Sequence, residues 1–255
     1  MILSTLRRLI FIKGVKVAGT SVEMALSEIC GPDDIVTPIM PRDELERMMR
    51  GAGCRNFARD LAAERAYIER FRPFIDGGET DFAKLPKIYH SGKGEYFNHM
   101  SLAQVEALHP GDLTGFRIVC AERSPYSKVL SMAHWSKWQR AYSEGADVPR
   151  SPEMIRASIE DVFHRRGYRA VQNIDRYRGR DGRVSAYVLR WDRLQQDLAR
   201  LWSELGVATP PHLPNAKKGI MADELDPRDY FSPRQIDEIN RAFAAEFDAF
   251  GFPRL

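Results

Sequence analysis

The stretch that most constrains the fold of this chain lies near its start, where a short apolar run at 9–12 leads directly into a loop at 13–18. An apolar run of this length followed by a helical pattern predicts a buried strand, a turn and a helix. Gly14 and Gly19 lie at the two ends of the turn, where we expect them to let the backbone curl so that successive N–H groups point inward. Because a helix N-terminus adds partial positive charge, this arrangement predicts a cradle for a phosphate-like anion.

The spacing within this loop nearly matches the nucleotide-binding pattern GxxxxGK[ST]. Gly14 and Gly19 are in register with the two glycines of that pattern, and Ser21 with its final position. Thr20 stands where the pattern has the lysine that reaches the β- and γ-phosphates of a nucleoside triphosphate. The available lysine, Lys16, lies inside the loop instead. The loop therefore indicates an anionic donor other than ATP.

A second segment with the same logic begins at another apolar run, 116–121, which predicts a further buried strand. Arg123 follows this strand with a guanidinium fork that can bind a phosphate through two hydrogen bonds. Pro125 suits the first turn of a helix. Ser131 then lies about two turns along that helix, where its hydroxyl can face the same phosphate.

Both segments resemble the nucleotide-binding motifs of sulfotransferases that use 3′-phosphoadenosine 5′-phosphosulfate (PAPS). Residues 15–21 are similar to the PKTAGTS loop of the carbohydrate (heparan- and chondroitin-type) branch, with Val15 for the usual proline and Val17 for the usual threonine. Residues 123–131 resemble the 3′-phosphate segment of the same family, R-(D/N)-P-(Y/F)-x-R-(L/F)-x-S, with Lys128 in place of its second arginine.

A weaker likeness continues through the C-terminal third. Residues 187–194 resemble the family's strand ending in R-(F/Y)-E-x-L, and 247–252 resemble its D-(F/Y)-x-x-(F/Y)-G-(Y/F) ending. Residues 211–219, which include Lys218, stand where these enzymes have a loop that closes over the nucleotide. The resemblance thus extends from the first predicted strand to the C-terminus, and is specific only in the two nucleotide-binding motifs.

The resemblance implies a fold and a donor site. The fold is an α/β, P-loop-NTPase-like three-layer arrangement, and the alternation of strands and helices likewise predicts a parallel sheet with helices on both faces. Lys16 is implied to neutralise the charge that grows on the leaving oxygen, while Arg123 and Ser131 bind the 3′-phosphate and Lys218 lies in the closing loop. The implied donor contacts around the 5′-phosphosulfate are Lys16, Val17, Ala18, Gly19, Thr20 and Ser21.

A sugar hydroxyl is a poor nucleophile at neutral pH, so we expect a general base near the donor. His99, just before a predicted helix, is the first candidate, because related carbohydrate sulfotransferases often carry a histidine there. Glu95 and His90 are the alternatives, since several family members use a glutamate. A sulfuryl group carries less negative charge than a phosphoryl group, so we expect no metal requirement.

Length and charge set further bounds. A chain of 255 residues can form one α/β domain, and we expect a single domain over 1–255, with 32–100 as a possible acceptor-binding or lid insertion. The 38 Lys and Arg against 35 Asp and Glu give a net charge of +3, which does not indicate nucleic-acid binding. Three widely spaced cysteines, Cys30, Cys54 and Cys120, form no recognisable zinc motif.

The N-terminal residues contain neither a signal-peptide core nor a membrane span, whereas animal relatives of the carbohydrate branch carry an N-terminal membrane helix. We therefore expect a cytoplasmic, bacterial enzyme without stable membrane insertion. The expected acceptor is a hydroxyl of a glycan, a glycolipid or a small molecule. The sequence does not predict an oligomeric state.

Two other classes of function compete with this interpretation. A P-loop nucleotide-binding or kinase-like protein needs a lysine at position 20, where Thr20 stands, and a carboxylate for magnesium at a second strand end, which the sequence does not clearly offer. A non-catalytic binding domain with a retained nucleotide cleft is the other alternative. The joint presence of Lys16, Arg123 and Ser131 favours the enzyme.

Overall fold

A computed structural model describes residues 1–87, 89, 95–144, 151–214 and 226–255, with the side chains of 136–144 left out. Its α/β architecture confirms the predicted fold class at that level. The five strands are β1 Ile2–Ser4, β2 Leu9–Ile12, β3 Ile35–Val36, β4 Arg117–Glu122 and β5 Tyr187–Arg190.

The sheet has the strand order β3-β1-β2-β4-β5 and is mixed. β2, β4 and β5 are parallel, with Ile12 opposite Cys120, whereas β1 is antiparallel to both of its neighbours. The prediction of a wholly parallel sheet is therefore wrong at β1. Only four residues separate β1 from β2, and so short a connection permits antiparallel pairing but not a crossover.

Most of the remaining chain is helical. The helices are α1 Gly19–Ser27, α2 Pro41–Met49, α3 Leu61–Glu69, α4 Arg72–Ile75, α5 Leu102–Leu108, α6 Pro125–Glu144, α7 Pro152–His164, α8 Leu194–Glu204, α9 Pro227–Tyr230, α10 Pro233–Ala242 and α11 Ala244–Phe250. Short 3₁₀ turns lie at Phe82–Lys84, Gly167–Val171, Ile174–Arg176 and Trp191–Arg193.

Helices cover both faces of the sheet. Successive residues of a strand point to opposite faces, so alternate residues of β2 pack against different helices. Leu9 and Phe11 pack in one apolar cluster with residues of α1 and α8. Ile10 and Ile12 pack in another cluster with α5 and Tyr177. Each parallel strand is therefore buried on both sides, which explains the near-continuous apolar runs that predicted them.

The segment 32–100 contains a small apolar cluster of its own, built by α2, α3 and α4. Phe57, Tyr67 and Phe71 are buried there, and Tyr67 meets the edges of both phenylalanine rings. Its role as an acceptor-binding or lid insertion stays a prediction, as does the single domain over 1–255. Among the described residues, none of the helices combines the length and apolar character needed to cross a membrane.

Candidate anion-binding site

The two predicted motifs lie side by side because β2 and β4 are adjacent parallel strands. Ile12 at the end of β2 pairs with Cys120, two residues before the end of β4 at Glu122. The loop 13–18 therefore leaves the sheet next to Arg123, at the edge where the carboxyl ends of the parallel strands meet. In open α/β sheets, this edge is where ligands bind.

The curl of the loop comes from two residues that are not glycine. Lys16 and Ala18 have φ values of 62° and 59°, in the left-handed region that side chains rarely adopt. Gly14 and Gly19 do not adopt positive φ values. They are needed because a side chain at either position would collide with a neighbouring residue. A Cβ on Gly14 would lie 2.2 Å from the Tyr177 hydroxyl, and one on Gly19 would lie 2.8 Å from Cγ of Lys13. The expectation that the glycines make the curl is therefore wrong.

The segment around Ile174–Arg176 packs against the loop and forms hydrogen bonds with it. The Val15 N–H donates to Oδ1 of Asn173 at 2.8 Å, and Nδ2 of Asn173 donates back to the Val15 carbonyl at 3.1 Å. Tyr177 is fully buried, and its hydroxyl occupies the space that a side chain at Gly14 would need. The Asn173 side chain therefore bonds to both polar groups at Val15, and these two hydrogen bonds fix the position of the loop relative to this segment.

Lys13, the first residue of the loop, is buried and ion-paired. Its Nζ lies 2.7 Å from Oε2 of Glu23, which is on α1 and fully buried. The amino group of Met1 contacts the other Glu23 oxygen. The charges of Lys13 and the Met1 amino group hold the pKa of Glu23 well below its usual range against the opposing effect of burial. This ion pair ties the end of β2 to the helix that follows the loop.

Lys16 extends from the loop towards α6. Its Nζ lies 4.4 Å from the ring centroid of Trp135, a cation–π contact. Trp135 is one helical turn beyond Ser131, so both residues lie on the same side of α6. The structure thereby brings the predicted Lys16 towards the helix face that carries the predicted Ser131.

The remaining loop residues differ in what they can offer a ligand. Thr20 and Ser21 are buried in the first turn of α1, where backbone N–H groups lack helical acceptors. Val17 is fully buried in the core against α1, so its backbone is the part suited to an anion. Ala18 is the N-cap of α1 and caps it without a side-chain hydrogen bond. These features fit an anion held by main-chain donors at a helix N-terminus.

Arg123 lies at the end of β4 with its guanidinium stacked on an aromatic ring. Its Cζ is 3.8 Å from the ring centroid of Trp191, which immediately follows β5. This is a cation–π contact, and a guanidinium is the side-chain group whose geometry suits two parallel hydrogen bonds to an oxyanion. The sequence predicted Arg123 but gave no role to Trp191.

Glu122, the residue before Arg123, is the centre of a buried polar network. Its Oε1 accepts from Nδ2 of Asn173 at 2.9 Å and lies 2.8 Å from the Tyr177 hydroxyl. Its Oε2 accepts from Nζ of Lys128 at 2.9 Å and from the Arg123 N–H at 3.1 Å. Burial raises the pKa of Glu122, while the positive charge of Lys128 opposes the rise.

This network bears on Lys128 and on the search for a magnesium-binding carboxylate. Lys128 is fully buried between Glu122 and Glu246, so it neutralises buried carboxylates where the family's arginine stands. Glu122 is a carboxylate at a second strand end, the position that a magnesium-binding P-loop protein needs. Both of its oxygens are already hydrogen-bonded inside the protein, which does not suit a metal ligand.

His99 contacts the loop directly. Its Nδ1 lies 3.1 Å from the Lys13 carbonyl oxygen, so Nδ1 carries the proton and Nε2 carries the lone pair. Burial lowers the pKa of His99 to about 3, and the charge of Lys13 acts in the same direction. His99 also has a positive φ of 63°, and its carbonyl accepts from Arg176 at 2.7 Å. The structure thus brings His99 to the loop 13–18 as a neutral imidazole.

The other predicted base and loop residues fall elsewhere. Glu95 accepts a hydrogen bond from the Arg59 N–H at 3.3 Å and interacts with Tyr89, both next to the α2–α4 cluster. His90 and Lys218 lie outside the described residues. Of the three candidate bases, His99 is the one with a described contact to the loop.

Several residues of this site carry no motif that the sequence could reveal. Asn173, Arg176 and Tyr177 come from a segment far along the chain, and their spacing is ordinary for a turn. Glu122 and Lys13 did offer a signal, because each is a charged residue at the end of an apolar run that predicts a buried strand. Such a position requires a buried partner of opposite charge.

Comparison of the chain with protein-family models, with curated proteins and with solved structures finds no match. Within the part of the chain that the structure describes, no group of three or more His, Cys, Asp and Glu residues is arranged to hold a metal ion.

Proposed function

We propose that this protein is a PAPS-dependent sulfotransferase with a P-loop-like fold that transfers a sulfuryl group to a hydroxyl of a glycan, a glycolipid or a small molecule. One observation carries the proposal. The loop with Lys16 and the strand end with Arg123 leave adjacent parallel strands at the same sheet edge. A donor whose ribose carries one phosphate at the 3′ position and another at the 5′ position needs two such anion sites next to each other.

The donor contacts follow from the chemistry of each group. The main-chain N–H groups of residues 18–21 and the hydroxyls of Thr20 and Ser21 bind the 5′-phosphate at the N-terminus of α1. Arg123, in contact with the Trp191 ring, binds the 3′-phosphate through two parallel hydrogen bonds, and Ser131 adds a hydroxyl. Lys16 leaves the Trp135 ring for the bridging oxygen between phosphorus and sulfur.

The proposed reaction is a single in-line displacement. The acceptor oxygen attacks sulfur, the bond from sulfur to the bridging phosphate oxygen breaks, and adenosine 3′,5′-bisphosphate leaves. His99 takes the acceptor proton on Nε2, since Nδ1–H is directed at the Lys13 carbonyl. The negative donor raises the pKa of His99 from the low value that burial gives it, because nearby negative charge favours the protonated imidazole. Lys16 neutralises the charge on the leaving oxygen.

Two substitutions separate the roles of base and leaving-group cation. His99→Ala should leave the affinity for the donor near the wild-type value and lower turnover by roughly 10²–10⁴-fold, the usual contribution of a general base. Lys16→Ala should lower turnover and weaken donor binding together. Formation of adenosine 3′,5′-bisphosphate from PAPS, with a panel of hydroxyl acceptors, measures turnover, and calorimetry measures affinity.

His109→Ala is the matched control, because His109 is also half-buried but hydrogen-bonds to Tyr96 away from the loop. Its turnover should equal that of the wild type. Near-normal turnover of His99→Ala would rule out His99 as the base and leave Glu95 and His90. Absence of any bisphosphate release with every acceptor would count against the transferase activity itself.

A further inference from the structure

Asn173 joins three separate parts of the fold. Its side chain bonds to both polar groups of the Val15 peptide in the loop and to Glu122 at the end of β4. Its own N–H donates to Glu246 on α11. Asn173 is fully buried, so its side-chain amide is not exposed on the surface of the protein.

Only one orientation of this amide satisfies its neighbours. Oδ1 must face the Val15 N–H, because a carbonyl oxygen accepts and an N–H donates. Nδ2 must face the two oxygens that surround it, the Val15 carbonyl and Oε1 of Glu122. A reversed amide would set Oδ1 against the Glu122 carboxylate. The charge of Glu122 therefore selects the orientation that holds the loop.

The same carboxylate also holds the other half of the site. Oε2 of Glu122 accepts from the Arg123 N–H at 3.1 Å, while Oε1 reaches the loop through Asn173. One buried group thus connects the loop proposed for the 5′-phosphate with the residue proposed for the 3′-phosphate. The distance between these two anion sites is set by hydrogen bonds within the protein.

We propose that Asn173 is a positioning residue, oriented by Glu122, that holds the phosphate loop at Val15 in the geometry needed to bind both phosphates of the donor. This inference rests on the proposed function, since it concerns the same site. Asn173 touches neither donor nor acceptor and acts through the backbone of the loop. Its loss should therefore release the Val15 N–H and weaken donor binding without removing any donor contact.

The test moves the carboxylate from position 122 to position 173 and the amide from position 173 to position 122, in two steps. Asn173→Asp keeps an acceptor for the Val15 N–H, loses both Nδ2 bonds and sets a second carboxylate against Glu122. Affinity for adenosine 3′,5′-bisphosphate should fall by about 10–100-fold, the usual effect of unsatisfying a buried group bonded to a charge. Adding Glu122→Gln restores the net charge and supplies an amide donor to the new carboxylate. The double variant should regain most of the affinity.

Two further variants complete the set. Tyr168→Phe is the matched control, because it removes the hydroxyl of a buried tyrosine that bonds to Glu238, and it keeps all three side-chain bonds of Asn173. Its affinity should stay within about 3-fold of the wild type, since the bonded peptide is unchanged. If Asn173→Asp does not yield folded protein, Asn173→Ser removes both Val15 bonds without adding charge and should weaken binding in the same way.

A second readout does not depend on any nucleotide. Amide hydrogen exchange of Val15 in the protein without ligand should speed up in Asn173→Asp and slow down again in the double variant. Exchange at Val119 in β4 reports global opening and should change little by comparison. Equal acceleration at Val15 and Val119 would mean a purely structural role.

The two readouts keep the two proposals apart. Unchanged Val15 exchange and unchanged bisphosphate affinity in both position-173 variants would overturn the positioning role. Failure of the wild type to bind the bisphosphate would instead overturn the proposed function, and Val15 exchange alone would then decide whether Asn173 holds the loop.

Discussion

The sheet edge that carries the candidate site and the cluster built by α2, α3 and α4 both contain buried charges, but the charges hold different parts of the chain. At the sheet edge, Lys13, Glu122 and Lys128 are buried charges, each ion-paired or hydrogen-bonded to charged partners. In the helical cluster, the buried side chains include Phe57 and Phe71, whose rings pack edge to face against Tyr67. Beside these rings, Glu44 and Arg47 of α2 form a buried ion pair that bonds to main-chain groups at 37, 39 and 54. The buried charges at the sheet edge therefore hold the loop and the end of β4, whereas those of the cluster hold its own backbone.

The difference teaches where precision is needed. Apolar burial is nearly insensitive to direction, so it contributes stability without fixing an atom in place. Buried ion pairs contribute little net stability, since desolvation offsets their attraction, but their bonds have defined geometry. Positive φ values occur in both regions, at Lys16, Ala18 and His99 around the loop and at Asn56 beside Phe57 of the cluster.

The largest expected effect is in the helical cluster. Phe71→Ala should lower the free energy of unfolding by about 3–5 kcal/mol, since a fully buried ring is replaced by a cavity. Affinity for adenosine 3′,5′-bisphosphate, measured at low temperature where the variant is folded, should not change. Phe82→Ala, at a ring that is 37% exposed, is the control with little loss in stability. A large loss of affinity in Phe71→Ala would end the division between the two regions.

The next effect is in ligand binding at the sheet edge. Arg123→Ala should weaken bisphosphate binding by about 2–4 kcal/mol, because a bidentate, charge-assisted contact is lost. Binding of adenosine 5′-monophosphate, which lacks the 3′-phosphate, should weaken far less. Arg193→Ala, two residues beyond Trp191 and 54% exposed in its side chain, should change neither affinity. Equal losses for both nucleotides would show that Arg123 does not bind the 3′-phosphate.

His99 should make stability depend on pH. Its pKa is lowered to about 3 in the folded protein, so between pH 3 and its ordinary value near 6.5 only the unfolded chain takes up the proton. Stability contributed by the neutral ring is therefore complete above pH 6.5 and declines as the pH falls, by up to about 1.4 kcal/mol per pH unit.

The measurement is urea unfolding of wild type and His99→Gln from pH 7 to pH 5, a range in which ordinary carboxylates stay ionised. The wild type should lose more stability than the variant over this range. Parallel pH profiles would contradict the neutral, loop-bound imidazole.

The smallest effect tests the strain in the loop. Ala18→Gly should stabilise the protein by about 0.5 kcal/mol, because the cost of a left-handed alanine exceeds the entropy that glycine loses on folding. Ala25→Gly in the interior of α1 should destabilise it by about 1 kcal/mol. Urea unfolding of both variants measures the difference in sign. Destabilisation by Ala18→Gly would remove the evidence for strain at the site.

What the sequence could predict at this site was local. The apolar runs predicted β2 and β4, and the helix predicted just after His99 is α5, which begins with a capping box at Ser101. The loop with Lys16 and the residue Arg123 each follow a predicted strand. In a parallel sheet the carboxyl ends of the strands meet at one edge, so Lys16 and Arg123 were expected to lie there together. Each of these features depends on residues within about two turns of one another.

What the sequence could not predict depends on contacts between distant segments. β1 is too short to show a period, and its pairing is decided by the brief turn to β2. Asn173 supports Val15 from 158 residues away, and nothing in its own neighbourhood marks it. The curl at Lys16 and Ala18 was assigned to the glycines because local propensity favours glycine there, whereas the fold imposes it on other residues.

The central claim is that the two adjacent anion sites bind a nucleotide with a 3′-phosphate. Isothermal calorimetry of the wild-type protein with adenosine 3′,5′-bisphosphate in the presence of a metal chelator tests it most directly, alongside a titration with ATP and magnesium. We predict saturable binding of one bisphosphate per chain, at least ~10-fold tighter than that of ATP with magnesium, which corresponds to about 1.4 kcal/mol. Tight binding of ATP with magnesium and no binding of the bisphosphate would contradict the claim.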